Sequence, residues 1–297
     1  SVIKTVEIET PNCAPGECAR IVLPFQVPKE GECYLRLIYK QKRNTVAVPA
    51  DFELGFDQLK IKATVQNKPV MFQEKVAVER LTVQEYDSLY VFNGRTEASE
   101  FEYVFDKKKG TFREWKINRH QLLDAPIEYN ISRAPTDNDR GFGNVYSIWK
   151  QEGYYNAVAR IYTTELEQKI DHIDIRVSFG MAGIARGVIM RAEVVWSVFD
   201  NGKIRFHCIG RRDTDFMYMP RFGIRLFLKK DASEVDYFGY GPHECYVDKH
   251  HSCYKEWFRT NVDDLFENYE RPQENGNHYG TTYLHVGNKK GTNIQVM

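Results

Sequence analysis

No run in this chain approaches the ~20 consecutive apolar residues that cross a bilayer as a helix. The opening stretch SVIKTVEIE has neither a basic n-region nor an apolar h-region, so no signal-peptide pattern is visible. The compartment, cytoplasmic or periplasmic, stays open. A charge excess is also missing: Lys+Arg and Asp+Glu stand at 41 each, which leaves no net field to draw in nucleic acid or an anionic membrane. The one basic run, Lys107-Lys108-Lys109-Gly110, reads as a solvated hairpin tip. Cysteine is scarce, six residues with no C-x-x-C pair. Cys13 and Cys18 flank a Pro-Gly turn, where a disulfide or a shared metal competes with the favoured reading of free thiols. The chain also lacks G-x-S-x-G, H-E-x-x-H and the phosphate-cradling G-x-x-x-x-G-K. Gly141-Phe142-Gly143 has no third glycine and follows no hydrophobic parallel strand, so it is not a dinucleotide fingerprint.

What is present is strand pattern and core. At 297 residues, with 42% hydrophobic and 13% aromatic content, the chain holds enough apolar surface for two domains. Residues 32–40 alternate Cys33, Leu35, Leu37 and Tyr39 against polar neighbours, as a half-buried strand does. Residues 187–209 predict a long hairpin: Val188, Met190, Ala192, Val194, Trp196 and Val198 share one face, and Asn201-Gly202 supplies the turn before Ile204, Phe206 and Cys208. Shorter runs at 89–93, 100–105, 111–117, 158–163, 170–179, 222–228 and 281–286 follow the same rule. Helix signal is confined to 144–153, with Asn144 as N-cap candidate and Gly153 as terminator. The fold class is therefore all-β, a large antiparallel sandwich.

Three segments are expected. Residues 1–62 give about four proline-bounded strands, part of a small sandwich; 63–79 form a linker or edge strand; 80–297 form the large sandwich. The closing GTNIQVM stops inside an alternating segment, which leaves two readings, a final strand that ends the chain unpaired and, the favoured one, a sandwich truncated at its C-terminus.

Polar chemistry gathers in loops. The stretch Arg133-Ala-Pro-Thr-Asp-Asn-Asp-Arg-Gly-Phe-Gly143 reads as a loop, because Pro135 biases Ala134 away from helix and Asp137, Asn138 and Asp139 favour turns. Loop carboxylates at Asp137, Asp139, Glu244, Asp248 and Glu274 are the candidates for a glycosidase pair, which needs two carboxyl groups at a set separation, one with a raised pKa. For Asp137 and Asp139 the plainer role is to cap turns and neutralise Arg133 and Arg140. A metal site from Glu244, Asp248, His250 and His251 has no diagnostic spacing, and His243 with Cys245 as a thiol pair lacks an orienting group.

Four separated motifs in one order carry a family resemblance: RAPTDNDRGFG, MPRFG at 219–223, YFGYGPHECYVD at 237–248 and RPQENGNH at 271–278, preceded by FDKKKGTFREWKINRHQLLDAP at 105–126. Residues 80–297 resemble the C-terminal β-sandwich of the large β-galactosidases of glycoside hydrolase family two, a relative of the galactose mutarotase fold. Residues 1–61 resemble the second half of the immunoglobulin-like domain that precedes it. The resemblance implies a parent that hydrolyses terminal β-D-galactosides with retention. Two glutamates and a divalent cation (Mg) in a (β/α)₈ barrel would do that chemistry, on missing N-terminal domains. This chain then has no catalytic residue, metal or cofactor of its own. Its expected role is to wall the active-site mouth and to stabilise the parent and a homo-oligomer of it.

Carried over by position, Gly141, Phe142, Gly143 and Asn144 form a substrate-proximal, mobile edge. Arg133, Asp137, Asn138, Asp139, Glu244, Tyr246, Asp248, Glu274 and Asn275 are motif residues that either brace loops or face sugar. The alternative class is a free-standing aldose epimerase or carbohydrate-binding module on the same sandwich, with Glu244 and His243 or His278 as acid and base.

Overall fold

The computed structural model describes residues 2–28, 31–61, 75–288 and 293–297. Among them the chain is all-β, and every strand ladder is antiparallel. Strands β1 (Cys33–Lys40) and β2 (Glu53–Ile61) make one hairpin-like pair, Cys33 opposite Ile61. The about four strands expected over 1–61 are two among the described residues. Residues 2–28 form none: their prolines withhold ladder donors, and Val2, Ile3 and Val22 lie exposed with no sheet to receive them. Cys13 and Cys18 are exposed free thiols on either side of the expected turn.

The expected linker falls outside the described residues up to 74. Its tail runs antiparallel beside the next sheet, with Ala77 bridging Thr96 and Val78 N–H donating to Arg95 O at 3.0 Å. That sheet is a meander of β3 (Thr82–Glu85), β4 (Leu89–Arg95), β5 (Glu100–Asp106), β6 (Thr111–Ile117) and β7 (His120–Gln121). β8 (Leu123–Asn130) follows. A second meander has β9 (Val158–Gln168), β10 (His172–Ala182), β11 (Val188–Phe199) and β12 (Ile204–Arg212). β13 (Gly223–Leu228) returns to pair with β8. The last sheet runs in the order β15 (Tyr254–Asn261), β14 (Glu234–Gly241), β16 (Tyr283–Gly287), β17 (Asn293–Val296). The closing strand does have a partner: Leu284 faces Val296, and Ile294 packs on the core.

The alternating residues of the two meanders make that core. Phe92, Phe105 and Phe112 from one and Ile175, Phe179, Val194 and Trp196 from the other are buried, with Phe112 edge-on to Trp196 at 5.4 Å. The Lys107–Gly110 turn meets the core differently from the solvated tip expected. Lys108 and Lys109 are exposed, but Gly110 is buried with φ +67°, and its carbonyl accepts from Tyr129 OH at 2.7 Å and Trp196 Nε1 at 3.2 Å. A Cβ there would meet Ile161 and Val177 at 2.8 Å.

The β1–β2 pair is docked on the last sheet. The Gln58 amide grips the backbone of Lys255 in both senses, N–H to Oε1 at 2.7 Å and Nε2 to O at 2.9 Å. Arg36 lies over the Tyr254 ring at 4.0 Å and pairs with Glu256 at 3.5 Å.

Candidate functional site

Thr136 and Asp139 decide the local structure of the RAPTDNDRGFG stretch. Asp139 Oδ2 accepts from Thr136 N–H at 2.7 Å, and Thr136 Oγ1 accepts from Asp139 N–H at 3.4 Å. This reciprocal capping box starts a helical turn, α1 (Asp137–Gly141), where only a loop was expected. The T-x-x-D spacing carried that signal. Arg133 closes the turn from below: its Nη1 and Nη2 reach the two Asp139 oxygens at 2.5 and 3.2 Å, and its guanidinium sits 5.5 Å from the centre of the buried Trp149 ring. Burial would raise the Asp139 carboxyl, but the hydrogen bonds from Arg133 and Thr136 outweigh it and hold the group below the usual carboxylate range.

A 3₁₀ turn (Phe142–Asn144) joins α1 to α2 (Val145–Glu152). Gly143 has φ +68° and Asn144 φ +50°. Asn144 does not act as the expected N-cap, because its Oδ1 accepts from Ser147 Oγ at 2.7 Å instead of from helix N–H groups. Gly153 ends α2 in the left-handed region as expected. Gly141, Gly143 and Asn144 are exposed, and a Cβ on Gly141 would meet nothing within 4 Å. This edge is thus open, whereas both of its flanks are fixed. Trp149 Nε1 donates to Tyr218 O at 2.8 Å, and Glu152 accepts from Met217 N–H at 3.0 Å.

The four motifs meet around residues 272–278. Glu274 Oε2 accepts from Ala134 N–H at 3.1 Å, its Oε1 accepts from Arg221 of the MPRFG stretch, and its own N–H donates to Pro135 O at 3.3 Å. Gln273 accepts from Asp137 N–H at 3.0 Å, and Arg140 reaches Pro272 O at 3.0 Å. One residue beyond Asn275, Gly276 N–H donates to Glu244 Oε2 at 2.9 Å. Glu244 is buried and also accepts from Lys249 Nζ at 2.8 Å and from Tyr269 OH. Burial alone would raise its pKa, yet these three donors leave it lowered.

The matching families follow this geometry. The family described as "Beta galactosidase small chain" fits residues 97–297, and "Beta-galactosidase, domain 4" fits residues 1–62. The chain belongs to the β-galactosidase small chain family. Over 276 residues it is 34% identical to a "Beta-galactosidase" of Actinobacillus pleuropneumoniae, covering 92% of this chain and 26% of that protein. A "Beta-galactosidase" of Staphylococcus xylosus is 30% identical over 286 residues, 95% of this chain and 28% of the relative. One from Streptococcus thermophilus is 27% identical over 192 residues, 64% and 18% respectively. The chain therefore spans about a quarter of the length of the first two.

Within this small-chain sandwich the expected site residues divide. Arg133, Asp139, Glu244 and Glu274 are brought together through the 272–278 segment as internal braces. Asp137 and Asn138 stand exposed on α1, and Asp248 is exposed in the Tyr246–Lys249 turn. Asn275 donates to Gln273 O at 3.4 Å, and the buried Tyr246 hydroxyl has no hydrogen-bond partner among the described residues. Cys245 is buried, with its thiol pushed up to about 11 by burial, so the pairing with His243 offers no thiolate. Among the described residues no three His, Cys, Asp or Glu side chains stand together as metal ligands. Lys249, Tyr269 and Arg221 escaped notice as partners, since no spacing rule links them to carboxylates so far along the chain.

Proposed function

We propose that this chain serves as the non-catalytic C-terminal portion of a β-galactosidase and completes the wall of its active-site mouth. The observation that carries the reading is the open Gly141–Asn144 edge on a scaffold otherwise locked by Asp139, Glu274 and Glu244. An edge with two residues in left-handed conformations between fixed flanks suits a segment that shifts as substrate enters. The buried carboxylates support the same division of labour. A retaining glycosidase needs two carboxyls ~5 Å apart with one pKa raised, and here Asp139 and Glu244 are both lowered. As the family resemblance implies, the nucleophile, the acid/base and a Mg site would belong to a barrel on other domains, the substrate would be a terminal β-galactoside, and the whole enzyme would work as a homo-oligomer.

Two measurements test this. This chain alone is expected to leave an aryl β-galactoside intact; turnover abolished by Glu244→Ala would overturn the assignment. In the full-length enzyme, Gly143→Ala strains a left-handed position by ~1–2 kcal/mol and is expected to slow turnover severalfold. Unchanged kinetics would remove the edge from the site.

A further inference from the structure

The outer face of the second meander carries a row of cations that the chain leaves unneutralised. Met190, Ala192, Val194 and Trp196 of β11 are buried in the core, so Arg191 between them points outward. The register sets Arg191 directly opposite Arg211 of β12 on one side and Gly180 of β10 on the other, with Arg160 of β9 opposite Gly180. Three exposed arginines thus lie on one line across four strands, Arg191 about 5 Å from Arg211 and about 10 Å from Arg160 by strand spacing. Like charges directly opposite each other destabilise a sheet, yet no ion pair reaches any of the three among the described residues. Glu193, one rung along the same face, pairs with none of them. Other cations of this face are satisfied: Arg176 pairs with Glu167 at 2.9 Å, and Arg205 donates to Ser197 at 3.0 Å. Apolar surface lies among the free ones. The Tyr162 hydroxyl fills the space that a Cβ on Gly180 would take, with 51% of Tyr162 exposed, and Ile209, opposite Glu193, is 67% exposed.

The opposite chemistry follows β15. Residues 262–270, Val-Asp-Asp-Leu-Phe-Glu-Asn-Tyr-Glu, hold four carboxylates and no cation. Asp263, Asp264 and Glu270 are exposed, and no ion pair engages them or Glu267 among the described residues. Phe266 stands in their midst with 65% of its surface exposed. Both ends of the segment are anchored, since Val262 N–H donates to Ser233 O at 2.9 Å and Tyr269 OH donates to the buried Glu244. Its aromatic ring is therefore presented already ordered, which lowers the entropy lost on docking. Aromatic rings and arginines are the side chains enriched at the centres of protein interfaces. With a net charge of zero, no long-range repulsion opposes the approach of two copies. Resting on the homo-oligomer reading above and deepening it, we propose that the Phe266 segment docks on the Arg160–Arg191–Arg211 row of a second copy of this chain. Its carboxylates meet the guanidinium groups, and the Phe266 ring meets Tyr162 and Ile209. In a two-fold pair each copy gives one surface and receives the other, so the contact is made twice.

Sedimentation velocity of this chain over a range of concentrations tests the contact. The wild type is expected to self-associate at ~50 mM NaCl and about tenfold more weakly at ~500 mM, where salt screens the charges. Reversing the row (Arg191→Glu with Arg211→Glu) or the segment (Asp263→Lys with Asp264→Lys) is expected to weaken association by about tenfold or more. All four positions are exposed, and near-ultraviolet circular dichroism checks that each variant stays folded. An equimolar mixture of the two variants is expected to recover wild-type association, because every contact in the mixed pair again joins opposite charges. A misfolded or unspecifically sticky protein gives no such recovery. Where a double variant unfolds, the single reversals Arg191→Glu and Asp264→Lys carry the same mixing test. A wild-type chain that stays monomeric at low salt, association unmoved by both reversals, or a mixture that stays apart overturns the inference. The first outcome would leave the arginine row to another domain of the parent. Sedimentation of the full-length enzyme separates the contact from the reading beneath it: an oligomer there alongside any of these outcomes removes the contact alone, and a monomer removes the homo-oligomer reading as well.

Discussion

Gly110 shows how one residue ties a surface turn to the centre of the sandwich. Its left-handed φ and its carbonyl, shared by Tyr129 and Trp196, leave no space for a side chain. Gly110→Ala combines a backbone penalty of ~1–2 kcal/mol with overpacking of ~1–3 kcal/mol. The expected outcome in urea unfolding is a loss of roughly 2–4 kcal/mol with an unchanged m-value. A loss well under 1 kcal/mol would mean that the turn relaxes away from Ile161 and Val177. The sequence made the turn legible through Lys-Lys-Lys-Gly but not its burial, because nothing local records which strands close over it.

At the scale of the element, α1 exists because Asp139 does two jobs, capping the turn and pairing Arg133. Its lowered pKa sets a direction for pH dependence. A carboxyl with a folded pKa below its unfolded value contributes stability that is full above the unfolded pKa, about 3.9, and is lost as pH falls through the folded value. Glu244 acts in the same sense. Stability is therefore expected to fall on acidification below about pH 4, and Asp139→Asn should flatten part of that slope while lowering stability at neutral pH. Unfolding curves at pH 3 and pH 6 with the same difference in mutant and wild type would contradict the pairing. T-x-x-D before a short helix announced the cap, whereas Pro135 and the run of Asx residues argued for a loop. The cap won because Arg133 stabilises the ionised Asp139 from outside the helical turn.

Across the whole molecule, Glu274 is the point at which distant motifs join. It holds Ala134 and Arg221 at once, with 13% of its side chain exposed. Glu274→Ala leaves the exposed Ala134 N–H and the partly exposed Arg221 without their shared acceptor; water can replace it, so the loss is ~0.5–1.5 kcal/mol for each bond. Limited proteolysis is expected to cut the 265–278 segment faster in this variant, with the core meanders resisting as before. Equal cleavage rates would show that Glu244 and Gly276 suffice to hold the segment. Alternation of apolar residues alone determined that the chain is all-β, where its long central hairpin lies and which faces make the core, because strand period and burial are local properties of sequence. Order of motifs was enough to indicate the family. Only the tertiary structure decided which carboxylates are spent as braces and that the final strand has a partner. Those outcomes depend on where separate segments meet in space, in the case of Ala134 and Glu274 from more than a hundred positions apart, and no local pattern encodes them.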